Sequence, residues 1–433
     1  MLRFFSRAVL ALMTAATLHA QVTSPPAATL AASREALSAP GRDVTISLLT
    51  MGNGAEVWEL FGHSGMWIHD NATGRDTVFN WGVFHMQGPG FIPNFLKGLM
   101  IYEMGGESLE QVLYAYRYFN RSVVSQELNL TVAQKDSLLG MIRVNARPEN
   151  IKYRYDYFRD NCSTKPRDML DQVLGGLIRA NAKQPDGSYR WHALRLMQGD
   201  KLLVTGVDIG LGEPSDKPIT KWESMFLPKE LHDLLATLQV KDSTGAMRPL
   251  VTSDRVLFQA NRPAEPTAPP NLTPWLWAIG LVVGALFAWL GNGAVNGSAG
   301  ARRAAAIAFG MWSFIAGMLG MILTLLWTVT DHIFAHANEN LLLFNPGWLV
   351  LAVLLPLFVL RGGAPGATRL VTFALAALCV LAVVAHLVML SRQSNVAVIG
   401  LALPPALAIA WTVLRSSRAR SREAATTRED GLQ

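Results

Sequence analysis

From residue 275 onward the chain carries apolar stretches at about 275–291, 304–329, 347–360, 370–390 and 396–414, and these constrain its fold more than any other feature. No water is present in hydrocarbon to satisfy backbone N–H and C=O groups, so a spanning segment must be a helix or part of a closed barrel. Runs this long and this uniformly apolar are read as helices. The third run is short, and the fifth holds Pro404 and Pro405. The sequence therefore predicts an all-α transmembrane module of five helices over 275–414, with a tail at 415–433.

Basic residues orient that module. Arg302 and Arg303, Arg361 and Arg369, and Arg415, Arg418, Arg420 and Arg422 fall on one side, whereas the opposite loops hold Arg392 against Asp331 and Glu339. By the positive-inside rule the first set is cytoplasmic, which places the part before the first span outside and the C-terminus in the cytoplasm. The other end agrees. Arg3 and Arg7 precede an apolar run at 8–18 and the small-residue end Leu18-His19-Ala20, the pattern of a secretory signal peptide over 1–20. Residues 21–42 are rich in Ala, Pro and Ser and read as a flexible tether, and the Pro-rich segment 263–274 reads as an extended linker. The expected setting is a bacterial inner membrane with an exported, periplasmic domain over 43–262.

A net charge of +6 and a pI near 9.4 invite a nucleic-acid reading. Residues 21–273, however, hold 26 Lys and Arg against 27 Asp and Glu. The excess sits in the signal peptide, cytoplasmic loops and tail, and no basic stripe remains for a nucleic acid.

Within the exported part, 43–50, 64–69 and 76–81 have strand composition, the last two joined by the turn Asp70-Asn71-Ala72-Thr73-Gly74-Arg75. Helices are predicted over 108–120 and, capped by Thr131, up to about residue 145. The alternation of Tyr153, Tyr155 and Tyr157 with charged residues predicts a strand over 151–158. Strands and helices together predict an α+β domain.

Cys162 is the one cysteine outside the membrane spans, Cys379 being the other in the chain. A lone thiol in an oxidising compartment is a liability unless it is buried or used. Cys162 stands where a helix should begin. Asp160 or Asn161 can cap that helix, Gly175-Gly176 stops it, and Pro166 predicts an irregular first turn or a start near Thr164. A cysteine nucleophile needs a base, and His63 in Phe61-Gly62-His63-Ser64 heads the hairpin. A turn symmetric about residues 72 and 73 sets Asn80 opposite Gly65, diagonal to His63 on one face, where its amide can orient the imidazole. Each residue also has a plain structural reading, Cys162 as a buried core residue and His63 as a satisfied turn histidine.

Other groupings are weaker. His63, His69 and His85 match no standard zinc spacing, so no metal is expected. The glycine-containing run 207–216 lacks a phosphate-binding helix and reads as an ordered loop. The polar run 330–340 reads as a solvated loop after the second span, with docking of the exported domain or a part in a site at the bilayer surface as the alternative. With His386 as the main ionisable exception in the spans, a transporter is disfavoured.

Phe61-Gly62-His63-Ser64, Phe79-Asn80-Trp81-Gly82, Leu128-Asn129-Leu130-Thr131 and the segment from Tyr155 through Asn161-Cys162-Ser163-Thr164 together resemble the Lnb N-terminal periplasmic domain family. More distantly they resemble the circularly permuted papain-like enzymes, including the lecithin:retinol acyltransferase-like group, in which the histidine precedes the cysteine. That resemblance implies a papain-like exported domain with Cys162 as nucleophile, His63 as general base, Asn80 as orienting group and the Cys162 N–H in an oxyanion hole. Asn161, Ser64, Tyr157 and Arg167 are the accompanying candidates for substrate or oxyanion contacts, with Arg167 and Asp168 by default a structural pair. No cofactor is implied. The expected activity is hydrolysis or acyl transfer at an amide, ester or thioester of an envelope lipid, lipoprotein or peptidoglycan peptide. The competing expectation is a non-catalytic binding or maturation factor for a secreted client or membrane partner.

Overall fold

The computed structural model describes residues 37–84, 90–242 and 244–430, so the predicted signal peptide, most of the tether and His85 lie outside the described residues. The chain divides into two compact units: one runs to residue 199 and resumes over 218–268, and the other joins 200–217 to everything from 269.

The first unit is built on a seven-stranded antiparallel sheet of β1 (Val44–Met51), β2 (His63–Asp70), β3 (Asp76–Val83), β4 (Ile101–Glu107), β5 (Val123–Leu128), β6 (Lys152–Arg154) and β7 (Val251–Phe258). Their order is β7-β5-β1-β2-β3-β4-β6. Alternation decides which side chains face which layer. Val44, Ile46, Leu48, Met66, Ile68, Phe79 and Trp81 point to one face, where they meet Leu138, Leu139 and Ile142 of α2 (Val132–Asn145) and Leu170 of α3 (Thr164–Val173). Leu49, Met51, Val78 and Val123 point to the other and are covered by α1 (Leu109–Tyr118) through Val112. Both faces are therefore buried, giving a mixed α/β unit.

Local chemistry sets the helix boundaries as anticipated. Ser108 and Thr131 each form a capping box, with Gln111 and Gln134 respectively, satisfying N–H groups that the first turn leaves unpaired. The strand expected over 151–158 is shorter. Pairing with β4 ends at Arg154, and the chain then turns, with Asp156 and Asp160 exchanging backbone hydrogen bonds of 3.0 and 3.2 Å and the Asp156 carboxylate accepting from Phe158 and Arg159 N–H at 2.9 Å.

The second unit contains four helices long and apolar enough to cross a membrane, Thr273–Val295, Ala299–Thr328, Pro365–Leu387 and Val396–Ala419, and a shorter apolar helix, Trp348–Arg361. The first and last pack closely because Gly280 lies against the backbone of Gly400, where a side chain on either would collide.

Residues 200–217, read from sequence as part of the exported domain, belong to this second unit. They form α4 (Lys201–Gly210), started by the Asp200 carboxylate, which accepts from Leu202 and Leu203 N–H at 2.8 and 3.0 Å. Its C-terminal carbonyls are met by side-chain amides. Asn338 donates to Ile209, Gly210 and Leu211 at 2.9, 3.0 and 3.3 Å, Asn340 to Ile209 at 3.0 Å, and Gln393 to Leu211 at 3.0 Å. The run 330–340 is accordingly not a solvated loop: Asn338 and Asn340 are buried because they cap this helix.

Candidate functional site

His63 is the first residue of β2, and Asn80 lies on β3 in the register expected, directly opposite Gly65. Cys162 sits two residues before α3, in a turn organised by Asn161. The Asn161 side-chain oxygen Oδ1 accepts from Ser163 and Thr164 N–H at 2.9 and 3.0 Å, and its Nδ2 donates to the Tyr157 and Phe226 carbonyls at 2.8 and 2.9 Å. Asn161 is thus spent on shaping the turn. Pro166 fits because it lies in the first helical turn. The bonds from Lys165 N–H to Asn161 and from Arg167 N–H to Ser163, 3.2 and 3.1 Å, bracket it, so the missing donor skips the Cys162 carbonyl alone.

Gly82 borders both Cys162 and His63. At φ +109° it occupies backbone space that other residues rarely enter, and a methyl group placed on it would lie 3.6 Å from Cys162 Cβ, 3.7 Å from Tyr155 Cε2 and 3.9 Å from His63 Cε1. The Cys162 and His63 side chains therefore border one small space. Asn80 hydrogen-bonds His63, which favours its charged form, but burial and the positive charge of Arg121 outweigh that bond. Burial acts most strongly and, with Arg121, leaves the half-buried imidazole pushed down to about 3.

The thiol is pushed the other way. Burial carries Cys162 up to about 11, against the opposing influence of the Ser64 N–H, Arg121, and the N–H groups of Cys162 and Ser163. With the imidazole so low and the thiol so high, both partners are neutral at rest near pH 7. From that resting state no thiolate is stored, and moving the thiol proton to an imidazole held this low runs uphill, so a bound substrate would have to raise the imidazole or lower the thiol first.

Arg121 was not among the sequence candidates. Its Nε donates to the Gly52 carbonyl at 3.0 Å, its Nη1 pairs with the Glu59 carboxylate at 3.3 Å, and its guanidinium lies 4.7 Å from the Tyr116 ring centroid. Both members of the ion pair are buried. A single arginine after an aromatic run carries no sequence mark separating it from a surface cation.

The remaining candidates divide. Ser64 is fully buried, with its backbone N–H directed at the thiol and its hydroxyl without a hydrogen-bond partner among the described residues. Tyr157 is partly exposed and edge-on to Tyr155 at 6.2 Å. Tyr155 stacks on Tyr102 at 4.3 Å, and Tyr102 on Phe84 at 4.9 Å, so an aromatic wall extends from the thiol. Burial holds the Tyr102, Tyr153, Tyr155 and Tyr157 phenols above their ordinary range, so all remain neutral. Arg167 lies apart from this grouping in its bonding: it pairs with Asp168 at 2.7 Å, donates to the Trp222 carbonyl at 2.8 Å and stacks over the Trp222 ring at 4.0 Å. His69, at the far end of β2 from His63, bonds Asp76 at 2.8 Å, so these two histidines do not converge.

Residues 36–196 match the family model of the Lnb N-terminal periplasmic domain, and residues 272–419 match that of the Lnb transmembrane domain. No curated protein and no solved structure matches the chain.

Proposed function

We propose, for a chain that belongs to the Lnb family through both its N-terminal periplasmic and its transmembrane domain, that the sheet unit is a membrane-anchored cysteine hydrolase or acyltransferase of the cell envelope. The observation that carries this reading is the space at Gly82, shared by Cys162 and His63, with Asn80 bonded to the imidazole. In the proposed reaction Cys162 Sγ attacks the carbonyl carbon of an amide, ester or thioester while His63 takes the thiol proton. Backbone N–H groups beside the sulfur, those of Ser64 and Cys162, are suited to stabilise developing negative charge. Collapse of the tetrahedral intermediate expels the amine, alcohol or thiol, which takes the proton from His63 and leaves a thioester on Cys162. Water or a second nucleophile then releases the acyl group by the same steps in reverse.

This reading includes a permuted papain-like relationship, the shorter apolar helix counted as a fifth span, and an inner-membrane placement with the C-terminus in the cytoplasm. Envelope lipids, lipoproteins and peptidoglycan peptides are the substrate classes it admits. One observation favours the non-catalytic alternative, a binding or maturation factor for a secreted client: both Cys162 and His63 rest in their neutral forms. The test is acyl trapping. The full chain, incubated with an activated ester such as p-nitrophenyl octanoate, should gain the acyl mass on Cys162, labile to neutral hydroxylamine, and His63→Ala should slow its appearance. Absence of both adduct and ester turnover in the wild type would transfer the assignment to the binding reading.

A further inference from the structure

The segment leading into β4 exposes more apolar surface than a water-facing loop needs. Ile92, Phe95, Leu96, Leu99 and Ile101 are 50%, 41%, 62%, 36% and 55% exposed. Single exposed leucines need no explanation, but five such residues within ten positions form a patch that calls for a covering surface. The helix carrying three of them, Phe91–Lys97, is set off by left-handed glycines, Gly90 at φ 92° and Gly98 at φ 75°. It is a discrete one- to two-turn element rather than the frayed end of a longer helix.

Charge around the patch distinguishes the possible coverings. Residues 90–102 contain Lys97 and no Asp or Glu. The neighbouring strand β6 sets Arg154 opposite Ile101, and Arg154 Nη2 reaches the Gly98 carbonyl at 3.5 Å, which places its guanidinium beside the patch. Lys152, exposed on the same short strand, stands opposite Glu103 in register, so Lys97 and Arg154 are the cations that border the patch. An apolar centre with a cationic border suits an anionic bilayer surface, where side chains enter the acyl boundary and ammonium or guanidinium groups stay with the headgroups. A bilayer is also the one surface this chain always has as a neighbour, since it carries four helices able to span one.

We propose that residues 92–101 form a shallow membrane foot, inserting Phe95, Leu96 and their apolar neighbours into the outer boundary of the bilayer, with Lys97 and Arg154 at the headgroups. The foot is joined to the candidate site along the chain: Ile101 precedes Tyr102, which stacks on Tyr155 at 4.3 Å, and Tyr155 borders Gly82. Docking would therefore hold the thiol close to the headgroup layer. The inference is independent of whether Cys162 turns over a substrate.

The test uses the full chain in liposomes of phosphatidylethanolamine and phosphatidylglycerol. In a Cys162→Ser background, an NBD label is placed at Leu96→Cys and, as a water-facing control, at Glu149→Cys; the unlabelled-site background corrects for Cys379. Lipids carrying a shallow doxyl group should quench the label at 96 roughly twofold or more beyond that at 149, with iodide quenching reversed in order. Equal doxyl quenching, or free iodide access at 96, would overturn the foot. Phe95→Cys repeats the measurement should the first variant fail to reconstitute, and protection of both positions from iodide without doxyl quenching would overturn it in favour of a protein cover.

Discussion

The two cysteines, one in each unit, differ in which side of the sulfur the protein addresses. Cys162 is surrounded by donors, the N–H groups of Ser64, Cys162 and Ser163, with the Arg121 charge nearby. Cys379, fully buried in the helix Pro365–Leu387, has the Leu342 and Leu343 carbonyl oxygens 3.8 and 3.9 Å from its sulfur. Donors favour a thiolate and acceptors the thiol, so two buried sulfurs are addressed in different ways, although at Cys162 burial still outweighs the donors. Polar groups follow the same division. The buried amides Asn338, Asn340 and Gln393 bind the end of α4 and serve architecture. His63 lies beside Gly82 with Cys162, and Asn80 bonds its imidazole.

The largest expected effect would break this comparison outright. Cys162→Ala should abolish acyl-adduct formation and lower ester turnover by about 10³-fold or more, with its melting temperature little changed. Cys379→Ala should leave turnover intact and cost about 1 kcal/mol through lost packing. Turnover and thermal melting of both variants check it, and equal activity in the two would remove the distinction between the cysteines.

Next in size is Arg121→Met, which leaves the Glu59 carboxylate buried without its partner and should destabilise the sheet unit by about 3–5 kcal/mol. Adding Glu59→Gln should recover most of that loss. In the stable double variant the thiol should titrate higher than in the wild type, because Arg121 is one of the groups holding it down. Denaturant midpoints and the pH dependence of alkylation separate these outcomes, and an unchanged thiol would deny Arg121 its electrostatic part.

How much of this was legible in the sequence depended on range. The opposition of Asn80 and Gly65 followed from counting outward from one turn, and the Thr131 cap from one side chain and its neighbour three residues on. Membrane helices announced themselves by length and apolarity, although the run at 347–360 forms a helix of only 14 residues. Arg121 was illegible because its partners, Gly52 and Glu59, lie more than sixty positions away. Residues 200–217 group with the second unit through contacts the sequence could not show: the amides that end α4 come from 338–340 and 393, and no local pattern connects them. The proximity of Cys162 to His63 required Gly82, whose left-handed backbone becomes meaningful only when the chain around it is folded.

Gly82→Ala sharpens the comparison at smaller cost. Placing a side chain at φ +109° should destabilise by about 1–3 kcal/mol, and the new methyl would lie against both Cys162 and His63. Turnover should fall further than stability accounts for, whereas Gly280→Ala in the membrane unit should affect packing with no change in the chemistry at Cys162. A Gly82→Ala protein that is destabilised yet fully active would show that this space is not where the reaction occurs.

The last comparison concerns pH. His63 is pushed down from 6.5 to about 3, so between those values the unfolded chain binds the proton that the folded chain refuses. Its contribution to stability is full above about 6.5 and is lost progressively as pH falls toward 3. Cys162 is pushed up from 9.0 to about 11, so the unfolded chain ionises first and the thiol's contribution is lost as pH rises from about 9 toward 11. The sheet unit should therefore show a stability plateau between these limits, with Cys162→Ala flattening the alkaline side and His63→Ala the acidic side. Alkylation of Cys162 should climb with pH above 9 instead of saturating below 7. Saturation below 7 would mean that Ser64, Arg121 and the turn at Asn161 already hold a thiolate, and the donor side of the comparison would then be stronger than burial.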